Sequence, residues 1–326
     1  MMEKHFFFIG HFAIDIVIKN KTEHEPSLGG SVSFGSLGLR AYTKNASIQI
    51  ISNCGSKNLE SALLNDLRKK NIDLQGIKWS DSCNTNFILE YFDHTRQLTL
   101  KSRSPDLEFS DIPKEHMKNP PDVVILAPLC NEISYDYVAT ILKQFPKALI
   151  GIDLQGFIRK IDDKGKVSYI PDEKIILNMR KIMNLIGERL ILKGSEVEMK
   201  LLAGGSEDLN SVMEKFDAYN LKGLFIMTLG ESGSMIIKYG QKLLKIPAFS
   251  SNGVKDETGA GDVYFAIFLY EYINSDMSWS AVKESACLAS AAASFLVEEI
   301  GPSGFESKKN IKKRIEKRNY ILQRKL

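Results

Sequence analysis

The sequence is short of the features that mark specialised classes. Its four cysteines, Cys54, Cys83, Cys130 and Cys287, are widely spaced and form no CxxC pair, which argues against a zinc site or a disulfide framework. Cys83, Cys130 and Cys287 read as buried apolar residues, and the five histidines show no metal-ligand spacing. No apolar run approaches the length of a membrane span, and the run after the opening MMEKH is FFFIG, too short for a signal peptide. A reducing cytoplasm and no membrane contact are therefore expected. Charge of one sign is lacking as well, since 43 basic and 40 acidic residues leave a net +3 and call for no polyanionic partner. The excess lies in residues 307–326, where Ile311, Ile315 and Leu322 at helical spacing predict an amphipathic helix docked on the body. That basic helix has no interleaved aromatics, so it does not read as a nucleic-acid surface.

What is present is a chain able to bury a large core, with 44% hydrophobic residues in 326. Short apolar runs rich in β-branched and aromatic residues recur at Phe6–Ile9, Ile48–Ile51, Val123–Leu126, Leu149–Ile152, Leu190–Leu192 and Leu224–Thr228. Helix-period segments such as Leu59–Lys70, Tyr135–Phe145 and Asp208–Tyr219 fall between them. Strands apolar throughout are buried on both faces, so the alternation predicts a three-layer α/β fold around a predominantly parallel sheet. Asn84–Ser104 differs, reading as two alternating strands around the polar turn Asp93-His94-Thr95; it is either an edge hairpin or a small β lid.

The most informative stretch is Asp256-Glu257-Thr258-Gly259-Ala260-Gly261-Asp262, followed by the almost wholly apolar VYFAIFLYEYI. Two glycines around an alanine let the backbone turn sharply into a buried helix and approach a ligand closely. Free N–H groups of Gly259, Ala260 and Gly261 at the positive end of the helix dipole form an anion site. A carboxylate at that place, Asp262, would compete with a bound phosphate unless it accepts a proton from a hydroxyl attacking that phosphate. Read alone, the same residues make a helix N-terminus with a dipole-complementing acid.

The stretch resembles the DTGAGD-type signature of the PfkB family, the ribokinase-like carbohydrate kinases, and the likeness runs from about Phe6 to Gly301. It implies a ribokinase-like kinase domain over residues 1–306, with a lid from about 15–21 and 84–101, followed by the basic helix 307–326. Asp262 is then the base and Gly259–Gly261 the anion hole for the transferred group. Asp15, Gly29, Gly30 and Phe34 match the acceptor pocket, to which Asp153, Gln155 and Arg159 are added. Thr228-Leu229-Gly230-Glu231-Ser232-Gly233 is similar to the family's nucleotide loop, so Thr228, Gly230 and Gly233 join Ser195, Glu198 and Ser290 as nucleotide-binding candidates. By themselves the glycine pair 29–30 reads as a turn or cap and the 228–233 loop as a hairpin connection.

Two departures from the family pattern are informative. Ser195 replaces the Asn of an NxxE motif, while Glu198 is kept as the candidate to hold magnesium through water; a plain first-turn helix carboxylate is the alternative. Phe34 stands where ribokinases place a ribose-contacting Asn, which makes the pocket less polar. With Asp153–Arg159 and the phrase GGSVSF, these look like the myo-inositol kinase branch. Asp256 and Thr258 are candidates for a monovalent-cation site holding K+, or else a turn capped by Asp256. The resulting expectation is an ATP- and Mg2+-dependent kinase of a sugar or cyclic polyol, acting as a monomer or homodimer. A nucleoside kinase of the same family and a non-catalytic nucleotide-binding regulator are the alternatives; ADP as donor stays open.

Overall fold

The computed structural model describes residues 3–321 except 20–21, 93–94, 206–207, 219–221 and 319. Nine strands form one sheet in the order Leu244–Ile246, Ser234–Lys238, Leu224–Thr228, Leu190–Ser195, Leu149–Asp153, Val123–Leu126, Lys4–Ile9, Ala46–Gly55 and Asp73–Ser80. Only Ser234–Lys238 runs antiparallel to its neighbours in this sheet. The six apolar runs expected to be strands all lie within strands of this sheet, and both faces are covered. Along Phe6–Ile9 the side chains alternate, Phe6 and Phe8 entering one buried cluster and Phe7 and Ile9 the other. This is why such strands lack an inside/outside alternation of polarity.

Helices Ser31–Tyr42, Ala260–Ile273 and Trp279–Leu296 contribute to the first cluster; Tyr135–Gln144, Glu173–Ile186 and Glu196–Leu202 contribute to the second. The helix expected over Leu59–Lys70 is instead a short 3-10 turn, Ser61–Leu64, leading into one turn of α-helix, Asn65–Lys69. Leu64 and Leu67 are its fully buried anchors, too few to fix a longer helix against the sheet. Helix Leu209–Ala218 matches the third expected segment, of which Tyr219 lies outside the described residues.

A second sheet stands over the carboxyl ends of the first. Its hairpin Thr85–Phe92 and Thr95–Ser102 pairs with Ala13–Lys19, which in turn takes up Ser27–Gly29 and Thr22–Glu23. The lid segments expected from the sequence thus pair with one another; Lys21 and the turn residues Asp93 and His94 lie outside the described residues. Ala13, Phe87 and Leu89 of this sheet pack on Leu129 and Cys130, making a small apolar cluster of their own.

The basic segment forms helix Lys308–Glu316, capped by Ser307. Ile311 is fully buried and Ile315 packs against the first cluster, while Leu322 lies outside the described residues. Arg314 ties this helix to Glu298 at 2.7 Å and lies over the Phe295 ring. Among the described residues no helix is long and apolar enough to cross a membrane.

Candidate active site

The glycine turn opens helix Ala260–Ile273 with Gly259 as N-cap at φ 80°. A side chain there would run into the Phe34 ring as well as adopt a left-handed backbone. Replacing Gly259 with Ala should therefore destabilise the fold by about 1–2 kcal/mol from the backbone alone, and more as Phe34 is displaced. Urea unfolding measures it, and an unchanged midpoint would refute this packing. The Ala260 N–H donates to the Glu257 carbonyl at 3.2 Å. That turn bond takes one of the three amides expected to bind an anion. Among the described residues those of Gly259 and Gly261 have no protein acceptor.

Asp262, in the first turn of this helix, borders a cleft of about 420 Å³ between the main sheet and the lid. Asp15, Gly30, Phe34, Gln155, Arg159, Ser195, Glu198, Thr228, Thr258, Gly259 and Gly261 line the same cleft. A second cleft of about 290 Å³ lies beside it, lined by Thr228, Gly230, Gly233, Ser290 and an apolar wall that includes Ala248, Phe249 and Val297. The two clefts share Thr228, Glu257 and Gly261, while Asp262 borders only the first. Residues spread over more than two hundred positions of sequence are thus brought to one place, because Asp153, Ser195 and Thr228 end neighbouring parallel strands.

Several candidates sit differently from expectation. Asp153 is 1% exposed and is not part of the cleft wall; it lies beneath, salt-bridged at 2.7 Å to Lys193. Gly29 is not on the wall either, and a Cβ there would collide with the Asp15 carboxylate. Phe34 is 3% exposed and packs on Gly259, so it supports the glycine turn and offers the cleft little surface. Arg159 lines the cleft, but all three of its nitrogens donate within the protein, to Tyr169, Leu129 and Gln155 at 2.9–3.0 Å. Ser290 donates to the Pro247 carbonyl at 2.8 Å.

Ser195 and Glu198 form a reciprocal capping box, the Ser195 N–H donating to Glu198 at 2.8 Å and the Glu198 N–H to Ser195 at 3.4 Å. Glu198 is buried, not a solvated helix acid, yet it borders the cleft with its second carboxylate oxygen free of any described partner. That oxygen suits an outer-sphere contact to a hydrated magnesium ion. Asp256 fits the turn reading: its carboxylate accepts from the Thr258 N–H and hydroxyl and from the Gly301 N–H. Burial alone would raise its pKa, but the hydrogen bonds from Thr258 and Gly301 hold it below the usual range. With three donors on it this carboxylate is satisfied, and no step is assigned to a monovalent ion.

Sequence reasoning missed Lys193 and Ser31. A lysine inside the apolar run Leu190–Leu192 and its continuation was the available signal, since a buried cation needs a partner. The Gln155 amide donates to the Ser31 hydroxyl at 2.6 Å, and Ser31 is hydrogen-bonded to Asp262. Burial, then the adjacent Asp153, raise the Asp262 pKa to about 7 against the opposing effects of Lys193 and Ser31. A carboxylate poised there can take a proton from a hydroxyl at neutral pH.

The expected burial of two cysteines is corrected. Cys83 is exposed and Cys287 half-buried, because Cys83 lies in the loop before the lid hairpin, outside the core; Cys130 is buried as expected. His11 lies within 4.8 Å of Cys130 and Glu132, which are two residues apart in a distant part of the chain. Pro105 and Thr85 occupy the His11 nitrogens, and the N–H groups of His11, Leu129 and Cys130 occupy Glu132, so the cluster reads as a hydrogen-bonded knot at the lid's root.

The family model of the pfkB carbohydrate kinases matches residues 8–309. The chain belongs to that family. It is accordingly a phosphotransferase, and its three-layer fold with small β elements is that of its ribokinase-like neighbours. A protein of Pyrococcus horikoshii named as a sugar kinase is 22% identical over 280 residues, 80% of each chain. Among solved structures, a pyrophosphate-dependent kinase of the ribokinase family complexed with a pyrophosphate analog and myo-inositol superposes with a TM-score of 0.71. It is 21% identical, over 91% of this chain and 96% of the other. A fructokinase of Xylella fastidiosa with bound ATP gives 0.78 at 14% identity, over 97% and 99%.

Proposed function

We propose that this family member transfers the terminal phosphoryl group of ATP to a hydroxyl of a cyclic polyol, myo-inositol being the first acceptor to test. The observation that carries the reading is the meeting of two clefts at Gly261, with Asp262 bordering only one of them. A phosphoryl transfer needs that arrangement: acceptor on the side of the base, donor on the other, and free amides where the transferred group passes. Asp15, Ser31 and Gln155 offer hydrogen-bonding groups in the acceptor cleft, and Phe87, Leu89 and Leu98 of the lid offer an apolar cover for the C–H face of a ring. The second cleft has apolar and small residues beyond the glycines, which suit a nucleobase and which pyrophosphate would not use. ATP is therefore the donor of choice here, although one structural neighbour is named as pyrophosphate-dependent.

In the transfer, Asp262 takes the proton of the attacking hydroxyl, and the Gly259 and Gly261 amides hold the phosphoryl oxygens as charge builds on them. Glu198 would hold a hydrated magnesium ion, which would supply neutralisation of phosphate charge when bound. Free thiols at all four cysteines suit a cytoplasmic setting, and the scheme holds for a monomer or a homodimer.

Steady-state kinetics with ATP, ADP and pyrophosphate against myo-inositol, ribose, fructose and several nucleosides tests both halves. The expected result is the highest kcat/KM for ATP with myo-inositol. A nucleoside preferred by more than about a hundredfold, roughly 3 kcal/mol in transition-state binding, would overturn the polyol assignment. Faster turnover with pyrophosphate would overturn the donor.

A further inference from the structure

We infer that Lys193 is a positioning residue for the proposed transfer, its buried ammonium paired with Asp153 behind the Gly261 turn and keeping Asp262 ionised as the base. This rests on the reading of Asp262 given above. Lys193 projects from the end of a central strand and is 6% exposed. Its Nζ is 2.7 Å from Asp153 on the neighbouring strand, where the two residues are in direct register. It also sits about 6.0 Å from the centre of the Phe265 ring. A Cβ built on Gly261 would lie 3.1 Å from Nζ and meet nothing else within 4 Å, so the ammonium stands directly behind the glycine turn.

A strand that only needed an ion pair for cohesion would not require this one to lie at the floor of the cleft. Burying a lysine costs several kcal/mol unless its charge is well compensated. Here burial pulls the Lys193 pKa down, and Asp153, Asp262 and Glu198 more than restore it. One cation therefore serves two carboxyls close enough to share a hydrogen bond. Without it they would form a like-charge pair, in which one carboxyl stays protonated well above its usual range. The other ionisable groups around the cleft are Asp15 on the lid, Arg159 and Tyr169 on the opposite wall, Glu198 from the helix after Lys193, and Glu257 from the glycine turn. Ser31 and Asp153 are hydrogen-bonded to Asp262.

The test uses the full chain labelled with 13Cγ-aspartate, the Asp262 resonance being assigned by its loss in Asp262→Asn. In the parent protein Asp262 should titrate near 7. Lys193→Met should move that midpoint up by about one pH unit or more, leaving about fivefold less ionised base at pH 7. Asp153→Asn should move it down, and the double variant should return it towards the parent value. If Lys193→Met does not fold, Lys193→Gln takes its place, keeping a polar partner for Asp153. A midpoint unmoved in the Lys193 variants overturns the inference, as does one that moves down. Kinetics form a separate arm, in which the acid limb of kcat/KM should follow the NMR midpoint while the KM for ATP changes little. Should the parent phosphorylate none of the acceptors, the proposed function falls, and the NMR titration still decides the role of Lys193.

Discussion

Asp262→Asn should lower turnover by about two to four orders of magnitude while nucleotide binding survives. Asparagine keeps the size of the side chain and the glycine turn before it, but it cannot accept the proton of the attacking hydroxyl. The donor cleft should be spared because Asp262 does not border it. A second readout follows from the pKa of about 7, which lies above the ordinary 3.8. Between these two values the folded state holds a proton that the unfolded chain has released, so stability falls as pH rises through the window. The cost is absent below the lower value and complete above the upper one. Removing the ionisable group removes the cost, so the Asn variant should melt higher than the parent at pH 8 and show little difference at pH 4. For the same reason the parent's kcat/KM should fall as pH drops below about 7, where the base becomes protonated. Near-normal turnover of the variant on the true acceptor would show that Asp262 is not the base. A melting difference independent of pH would show that its ionisation carries no strain.

Gly261→Val is expected to give a folded protein with activity reduced by about a hundredfold or more. Gly261 is not among the glycines with positive φ, and an added Cβ would meet only the Lys193 ammonium, at 3.1 Å. That contact is tight, so the end of the flexible Lys193 side chain must give slightly, but no backbone bars a side chain here. The space is the junction of the two clefts, and a β-branched group would fill it where donor and acceptor must meet. Gly259 is the contrast, since its backbone and the Phe34 ring exclude a side chain for structural reasons. Thermal melting and turnover measured on the same preparation separate the two effects. A Gly261→Val enzyme that melts normally and works normally would show that no phosphate is cradled at this turn.

What the sequence by itself determined is what local chemistry encodes. Apolar runs that stay buried on both faces announce a parallel sheet, and two glycines before an all-apolar helix announce a turn that can meet an anion. Asp262 was legible as a candidate because it sits inside that motif, and Asp15 through the family likeness, although it lies within strand Ala13–Lys19. The lid hairpin was legible as alternation, although whether it covered anything was not. Only the tertiary structure decided which distant groups share a site. Asp153 and Lys193 stand 40 residues apart and meet because their strands are neighbours in register. Neither strand order nor register is written in the periodicity of a single strand. Phe34 looked like a pocket wall from its place after a glycine pair, but helix packing set it under Gly259. Glu198 read as a candidate to hold magnesium, with a solvated helix acid as the alternative, and its burial in a capping box beside the cleft sets aside the solvated acid. Local signals state what a segment can become, whereas burial and charge pairing depend on what the rest of the chain brings against it.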